Sequence, residues 1–374
     1  VPKRKVFLVT SLRVGLVGTG TISGIYLKNA KERFAGFDIV AVADLVRERA
    51  EAQATAYGIP DVLSVDELIA DPSIDVVLNL TIPVAHYDIA KRSILAGKSV
   101  YSEKPLAVDP AEGQELVELA RERNIAIGSA PDTFLGAGLQ TCRRLLDEGA
   151  IGEPVGAGIC FASHGNEHWH PNPAFSYEHG GGPVFNLGPY YVTAIVSLLG
   201  PVRRITGTSR ISFPTRTISS QPLAGQTITV TTPTFVNAAF DFTAGPVASF
   251  TATYDVWKSE RPLIEIYGSE GTMSVPDPNT FGGPVRVYRQ ATKAWEDVPL
   301  DAGFSDNSRG VGLADLVRAK QDGTPHRASG EFTNHILEIM HVTQEAGNLG
   351  TIQTLNTTCD RPAPFDPSEI PLLA

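Results

Sequence analysis

An apolar run at 13–17 passes directly into Gly18-Thr19-Gly20-Thr21-Ile22-Ser23-Gly24, and a helical pattern begins at once at position 22. A strand that turns on glycines straight into a helix restricts the architecture strongly, because the helix N-terminus is left facing the end of the strand. Gly18 is placed to make the tight turn. Gly20, followed by Thr21 and Ile22, lets backbone N–H groups approach a pyrophosphate at the positive end of the helix. The third small position holds Ser23 rather than glycine. Plain strand–helix turns and methyltransferases use the same spacing, so the motif alone leaves the ligand open.

The alternation continues with apolar runs at 38–43, 75–80, 98–101 and 125–127, separated by helical stretches at 22–33, 47–57, 86–96 and 111–123. This is the pattern of βαβ units around a parallel sheet. Asp109 and Pro110 read as the N-cap and first position of the last helix, and Gly97 stops the one before it. After about 150 the texture changes to β-branched runs at 204–208, 227–232, 237–242, 247–254, 263–267 and 285–289, with helices expected at 186–199 and 331–347. The expected fold is α/β: a doubly wound Rossmann domain with a parallel sheet over 12–132, then an α+β domain with a large, mostly antiparallel open sheet over 133–350. Helix 331–347 is expected to pack back on the first domain, and 351–374 to form an extended, Pro-rich surface tail.

A chain of 374 residues has material for about two domains. Lys+Arg 31 against Asp+Glu 41 gives a formal net charge of -10, the wrong sign for a protein that binds by neutralising phosphates, so nucleic acid is not an expected partner. Cys142, Cys160 and Cys359 are odd in number and widely spaced, which provides neither a disulfide framework nor a CxxC pair and fits a reducing, cytoplasmic compartment. Lys3-Arg4-Lys5 and the apolar 6–9 imitate the start of a signal peptide, but Thr10, Ser11 and Arg13 interrupt it, and a disordered leader is expected. No apolar run approaches the ~20 residues that cross a bilayer, so no membrane partner is expected.

Asp44 ends the second apolar run, about twenty residues beyond the glycine turn, where a carboxylate accepts both hydroxyls of an adenosine ribose and repels a 2′-phosphate. NAD is therefore the expected cofactor over NADP, with Arg47 as a counterweight. The competing reading of Asp44 is an ordinary N-cap for the next helix.

Thr81-Ile82-Pro83-Val84-Ala85-His86 and the stretch from Ala96 through Glu103-Lys104-Pro105-Leu106 resemble the glucose-fructose oxidoreductase / inositol dehydrogenase / MocA family, in which Glu-Lys-Pro at the end of the fifth strand is the hallmark. The resemblance continues through 180–190 and 326–331. It implies a dinucleotide site drawn from Gly18, Gly20, Thr21, Ile22, Asp44, Thr81, Pro83, His86, Glu103 and Lys104, with Lys104 touching both nicotinamide and substrate hydroxyl. It also implies a homodimer or homotetramer paired through open sheets. Taken alone, Lys104 is equally a solvated lysine at the carboxyl edge of a sheet. The Lys104–Pro105 bond is a candidate cis bond.

The family's second motif, Asp-x-x-x-His or Asp-x-x-x-Tyr, stands here as Asn186-Leu187-Gly188-Pro189-Tyr190. Tyr190 matches the acid/base tyrosine, and Asn186 departs from the carboxylate. On one helix the i, i+4 spacing puts both on one face. The neutral amide leaves the Lys104 charge uncompensated, which favours a phenolate: Tyr190 takes the hydroxyl proton, Lys104 polarises the oxygen, and hydride passes to NAD. A core aromatic is the alternative for Tyr190, with Tyr191 as competitor.

His164, His168, His170 and His179 crowd the preceding stretch, yet only Glu167 and Glu178 lie nearby as carboxylates and no metal site is expected. Trp169 and His170 are expected to face substrate, since an indole offers the apolar surface on which sugar C–H groups stack. Asp132 stands where a substrate hydroxyl could be held, or in an Asx-turn after Pro131. Arg309 and His335 are candidates to close the crevice. The expected activity is NAD-dependent oxidation or reduction at a secondary alcohol of a neutral sugar, sugar derivative or cyclitol. The alternatives are a redox-neutral glycoside hydrolase that holds NAD and a non-catalytic NAD- and sugar-sensing regulator.

Overall fold

The computed structural model describes residues 11–373, so the expected leader lies outside the described residues. The first domain runs β1 (Leu12–Val17), α1 (Ser23–Glu32), β2 (Phe37–Ala43), α2 (Arg47–Tyr57), β3 (Asp61–Val62), α3 (Val65–Ala70), β4 (Val76–Asn79), α4 (Pro83–Leu95), β5 (Ser99–Ser102), α5 (Pro110–Glu122) and β6 (Ile127–Ser129). Its strands are parallel and ordered β3-β2-β1-β4-β5-β6. Alternate residues feed separate cores on the two faces: Leu16 and Leu78 join one, Val17 and Val77 the other. Both faces are thus covered, which is why the strands read as unbroken apolar runs. Strand order reverses between β1 and β4, and the crevice outside their carboxyl ends is where such sheets bind ligands. The sequence reading missed β3 and α3. Both are too short for periodicity, although the capping box of Ser64 and Glu67 marks the start of α3.

The second domain comprises α6 (Ala137–Asp147), β7 (Pro154–Ala162), α7 (Gly182–Asn186), α8 (Gly188–Leu199), β8 (Val202–Arg210), β9 (Thr215–Thr217), β10 (Thr227–Thr229), β11 (Phe235–Phe242), β12 (Val247–Thr253), β13 (Ile264–Gly268), β14 (Gly271–Val275), β15 (Val285–Arg289), β16 (Ala294–Val298), α9 (Val311–Asp322), α10 (Gly330–Leu349) and β17 (Gln353–Thr354). Nine strands form one sheet in the order β16-β15-β14-β13-β7-β12-β11-β8-β17. Every neighbouring pair is antiparallel except β7 and β12, which run parallel.

Four expectations need correction. The run at 227–232 does not join the large sheet but pairs as β10 with β9 in a two-stranded sheet. Helices α6 and α9 were not anticipated. The helix expected at 186–199 is two helices that meet at Leu187. Pro189 in the first turn of α8 has no N–H to bond back to the previous turn, so the ladder breaks there. The segment 351–374, expected as an extended surface tail, is extended but docked, with buried side chains. Phe365 and Ile370 are buried, Arg327 donates to the carbonyls of Ala363 and Pro364 and to Glu369, and Leu373 N–H donates to the Arg33 carbonyl at 2.9 Å. Its prolines read as a surface tail, but Leu355, Phe365 and Ile370 are buried in the main core and anchor it there.

Helix α10 starts at Ser329, whose hydroxyl accepts from Phe332 N–H, and packs on β8, α8 and α5, with Asn334 donating to Gln114. No helix among the described residues is long and apolar enough to cross a membrane.

Candidate active site

Gly18 has φ +96°, and a Cβ there would lie 2.7 Å from the backbone of Leu80 and Thr81, so only glycine fits between β1 and β4. A Cβ on Gly20 would meet nothing within 4 Å, which leaves open space in front of α1, where the first N–H groups of the helix lack intrahelical acceptors. Ser23 at the third small position ties its hydroxyl to the Gly20 carbonyl at 2.7 Å and keeps the turn closed.

Asp44 is not the N-cap of α2, a position held by Val46 without a side-chain cap; it closes the turn after β2 instead. One carboxylate oxygen accepts from Thr19 N–H and hydroxyl at 2.7 and 2.9 Å, and the other accepts only from Val46 N–H at 2.9 Å, which leaves it free to accept again. Burial works to raise this carboxyl, but those hydrogen bonds outweigh it and hold it below the ordinary range. Beside it Leu45 is 98% exposed, and Ile82 and Val84 are exposed as well. The sequence reading did not single out these three, Leu45 just after β2 and Ile82 and Val84 at the start of α4; their sequence signal is an apolar residue after the acid and around Pro83, where exposed positions are ordinarily polar. Thr81 donates its hydroxyl to Asn79 at 2.6 Å, and Pro83 is the exposed first residue of α4.

His86 is a correction. It is fully buried, its ring nitrogens facing the carbonyls of Pro105 and Thr81 at 2.7 and 3.0 Å, so it ties two loops together from behind and presents nothing to the crevice. Glu103 is also occupied, accepting from the Tyr26 hydroxyl at 2.8 Å and from Lys104 N–H at 3.0 Å. It braces α1 against the end of β5.

Lys104 follows β5 and precedes a cis peptide bond to Pro105. Its Nζ donates to the backbone carbonyl of Asn186 at 3.0 Å and stands 5.4 Å from the centre of the Tyr190 ring. Burial draws the ammonium below its ordinary value against the opposing charge of Glu103, and Arg309 lowers it further. Asn186 and Tyr190 lie on separate helices, not on one face of a single helix as expected. The Asn186 amide donates to the Tyr254 hydroxyl at 2.8 Å. Tyr191 is a core residue, packed on Phe161.

The electrostatics of Tyr190 are also corrected. Burial, then Glu103, push the phenol up to about 12, and the cation beside its hydroxyl is Arg309, not Lys104. Arg309 is held by Asn279 and Asn307 at 3.0 and 2.8 Å. Asp132 does not face the cleft: it is buried and accepts from the backbone N–H groups of Gly310 and Gly312 at 2.8 and 3.1 Å, which fixes the segment that carries Arg309. Burial pushes Asp132 up to about 6. His335 does not reach the crevice either. It is buried, with one ring nitrogen accepting from Val202 N–H at 3.1 Å.

Beside this cluster opens a cleft of about 980 Å³, lined by Asn186, which accepts from Lys104, by Tyr254, bonded to the Asn186 amide, by Asn279, bonded to Arg309, and by Leu187, His168 and Trp169. His170 is turned away: Asn172 N–H donates to its ring at 3.0 Å and its carbonyl accepts from the Ser220 hydroxyl, so His168 holds the place expected for it. Among the described residues no three His, Cys, Asp or Glu side chains gather as a metal site.

Residues 12–129 match the family model described as "Oxidoreductase family, NAD-binding Rossmann fold", and residues 139–274 match "GFO/IDH/MocA C-terminal domain". A 1,5-anhydro-D-fructose reductase of Ensifer adhaerens is 33% identical over 176 residues, which is 47% of this chain and 53% of that protein. An inositol 2-dehydrogenase of Salmonella paratyphi B is 33% identical over 150 residues, 39% of this chain and 44% of that protein. The chain thus spans about half the length of these curated relatives. A levoglucosan dehydrogenase solved with NADH and L-sorbose shares the fold, with a TM-score of 0.80 at 20% identity over 93% of this chain and 99% of that one.

Proposed function

As the chain belongs to the GFO/IDH/MocA oxidoreductase family, we propose that it is an NAD-dependent oxidoreductase acting on a secondary alcohol of a sugar, sugar derivative or cyclitol, with Lys104 and Tyr190 as the acid/base pair. One observation carries this: Lys104 Nζ, from the end of β5, stands over the Tyr190 ring of the second domain at 5.4 Å, beside the crevice of the parallel sheet.

The chain fits the cofactor. The open space at Gly20, with Thr21 and Ile22, suits a pyrophosphate; the free capacity of Asp44 suits a ribose hydroxyl; and exposed Leu45, Ile82 and Val84 suit the faces of an adenine. The Asp44 carboxylate disfavours a 2′-phosphate, which favours NAD over NADP. A bound nicotinamide supplies the hydride acceptor.

Within the pair, the electrostatics favour Lys104 as base. Burial and Arg309 draw it toward the free amine, while Tyr190 stays a protonated phenol that donates a hydrogen bond to the substrate oxygen and is kept in place by Arg309. This exchanges the roles read from the sequence, where the phenol was to be lowered by Lys104. Pairing of two copies through the exposed face of the nine-stranded sheet, which bears Tyr267 and Val247, belongs to the same reading. The test is NADH formation on a sugar and cyclitol panel, with NAD and NADP in parallel. Lys104→Met should cut turnover by about 10²–10⁴ and keep NAD affinity. Full activity in that variant ends the proposal, and NAD binding without any turnover in the unaltered protein favours a sensor.

A further inference from the structure

The cleft is larger than oxidation of a single sugar ring requires. A cavity of about 150 Å³ accommodates benzene, so a twelve-atom pyranose accounts for on the order of 300 Å³. The cleft measures about 980 Å³ and runs from Asn186 and Tyr254, next to the Lys104–Tyr190 pair, out to Trp257 and Ser259 on one wall and Trp169 on the other.

The parallel pairing of β7 and β12 creates those walls, because both strands release their loops at the same edge of the sheet. Ser163 N–H donates to the Thr253 carbonyl at 3.0 Å, and Val256 N–H donates to the Ser163 carbonyl at 3.1 Å, so the loops leave together. Below them Glu167 accepts from Arg216 and from the Tyr177 hydroxyl, and Arg216 also pairs with Asp255, which locks one loop to the other through buried charges.

Trp257 rides on this base. It is 81% exposed, yet its indole is stacked on His164 with ring centres 3.4 Å apart and planes 14° apart. One face of the indole is thereby fixed, and the residue lines the far part of the cleft. A rigid, exposed aromatic at that position is a stacking surface for a second ring. The charged residues lining the cleft are Lys258 and Glu167; Glu167 is already paired with Arg216 and Lys258 is exposed to solvent, so no buried unpaired charge calls for a charged occupant.

We infer that the cleft takes a two-ring carbohydrate, a disaccharide or an aryl glycoside, whose inner ring presents its hydroxyl to Lys104 and Tyr190 and whose outer ring stacks on Trp257. This rests on the dehydrogenase reading above.

The experiment compares glucose, galactose, mannose and myo-inositol with the disaccharides and phenyl glycosides of the same sugars, in both anomers. NADH formation and calorimetric binding are measured for the unaltered protein, Trp257→Ala and Trp257→Phe. At least one two-ring compound is expected to exceed its matched monosaccharide about tenfold in kcat/KM. Trp257→Ala should cut that ratio, and the matching ratio of binding constants, by about tenfold, with Trp257→Phe restoring part of it. A single-ring compound as best substrate, or ratios unmoved by Trp257→Ala, overturns the two-ring assignment while leaving the dehydrogenase reading intact. A panel in which nothing forms NADH overturns the dehydrogenase reading instead, as does phenol release without NADH, which points to hydrolysis.

Discussion

Lys104 Nζ reaches across 82 residues of sequence to the backbone carbonyl of Asn186 and donates to it at 3.0 Å. The link between the two halves of the site therefore uses the main chain of α7, not the side chain at 186. That side chain is turned to the Tyr254 hydroxyl. The amide stands where the resemblance implies a carboxylate, and the lysine is held by the main chain without it.

Asn186→Asp adds a carboxylate near Lys104 and favours its charged form. With the free amine as the proposed base, the rise of kcat/KM with pH should move to higher pH in this variant. A pH–rate profile checks it; an unchanged profile removes Lys104 from the base role.

Loss of a positioned proton acceptor costs on the order of 10²–10⁴ in rate. Lys104→Met should fall in that range. Tyr190→Phe, which loses only a hydrogen-bond donor, should lose less, with kcat reduced more than KM is raised. Steady-state kinetics separate the two variants, and a deeper loss in Tyr190→Phe returns the base role to the phenol.

Asp44→Ala removes the partner of Thr19 in the glycine loop as well as the acceptor proposed for the ribose. Hydrogen bonds to charged groups contribute about 1.5–3 kcal/mol, so NAD affinity should weaken roughly 10- to 100-fold. NADP should weaken less, because Arg47 and Arg49 remain while the repelling charge is gone. Fluorescence titration with both dinucleotides measures the ratio.

The first domain was legible because the glycine turn, Asp44 and the apolar runs are local signals, each set within a few residues. The site was legible only where it depends on such signals. Pro189, next to Tyr190, is a local signal for the break in its helix, whereas nothing near Tyr190 reveals that Arg309, 119 positions on, provides its cation. Asp132 lies just beyond β6, and its partners Gly310 and Gly312 stand at the start of α9, a helix the sequence reading missed. His86 sits in the family motif, and only the buried carbonyls of Pro105 and Thr81 show that it faces inward.

Two buried groups should give opposing pH dependences of stability. Burial lowers His335 from 6.5 to about 4, against the pull of Glu338, so the unfolded chain binds more protons between those values and stability falls as pH drops through this window. Burial raises Asp132 from 3.8 to about 6, so the folded chain binds more protons there and stability falls as pH rises from 3.8 to 6. Each shift corresponds to about 3 kcal/mol, and between pH 4 and 6 they largely cancel. His335→Gln, which can still accept from Val202 N–H, should gain on the unaltered protein as pH is lowered toward 4. Asp132→Asn, which can still accept from Gly310 and Gly312, should gain as pH is raised to 6 and above. Urea midpoints at pH 4.5 and 7 for the three proteins decide it, and parallel shifts at both pH values would refute the assignment of these two groups.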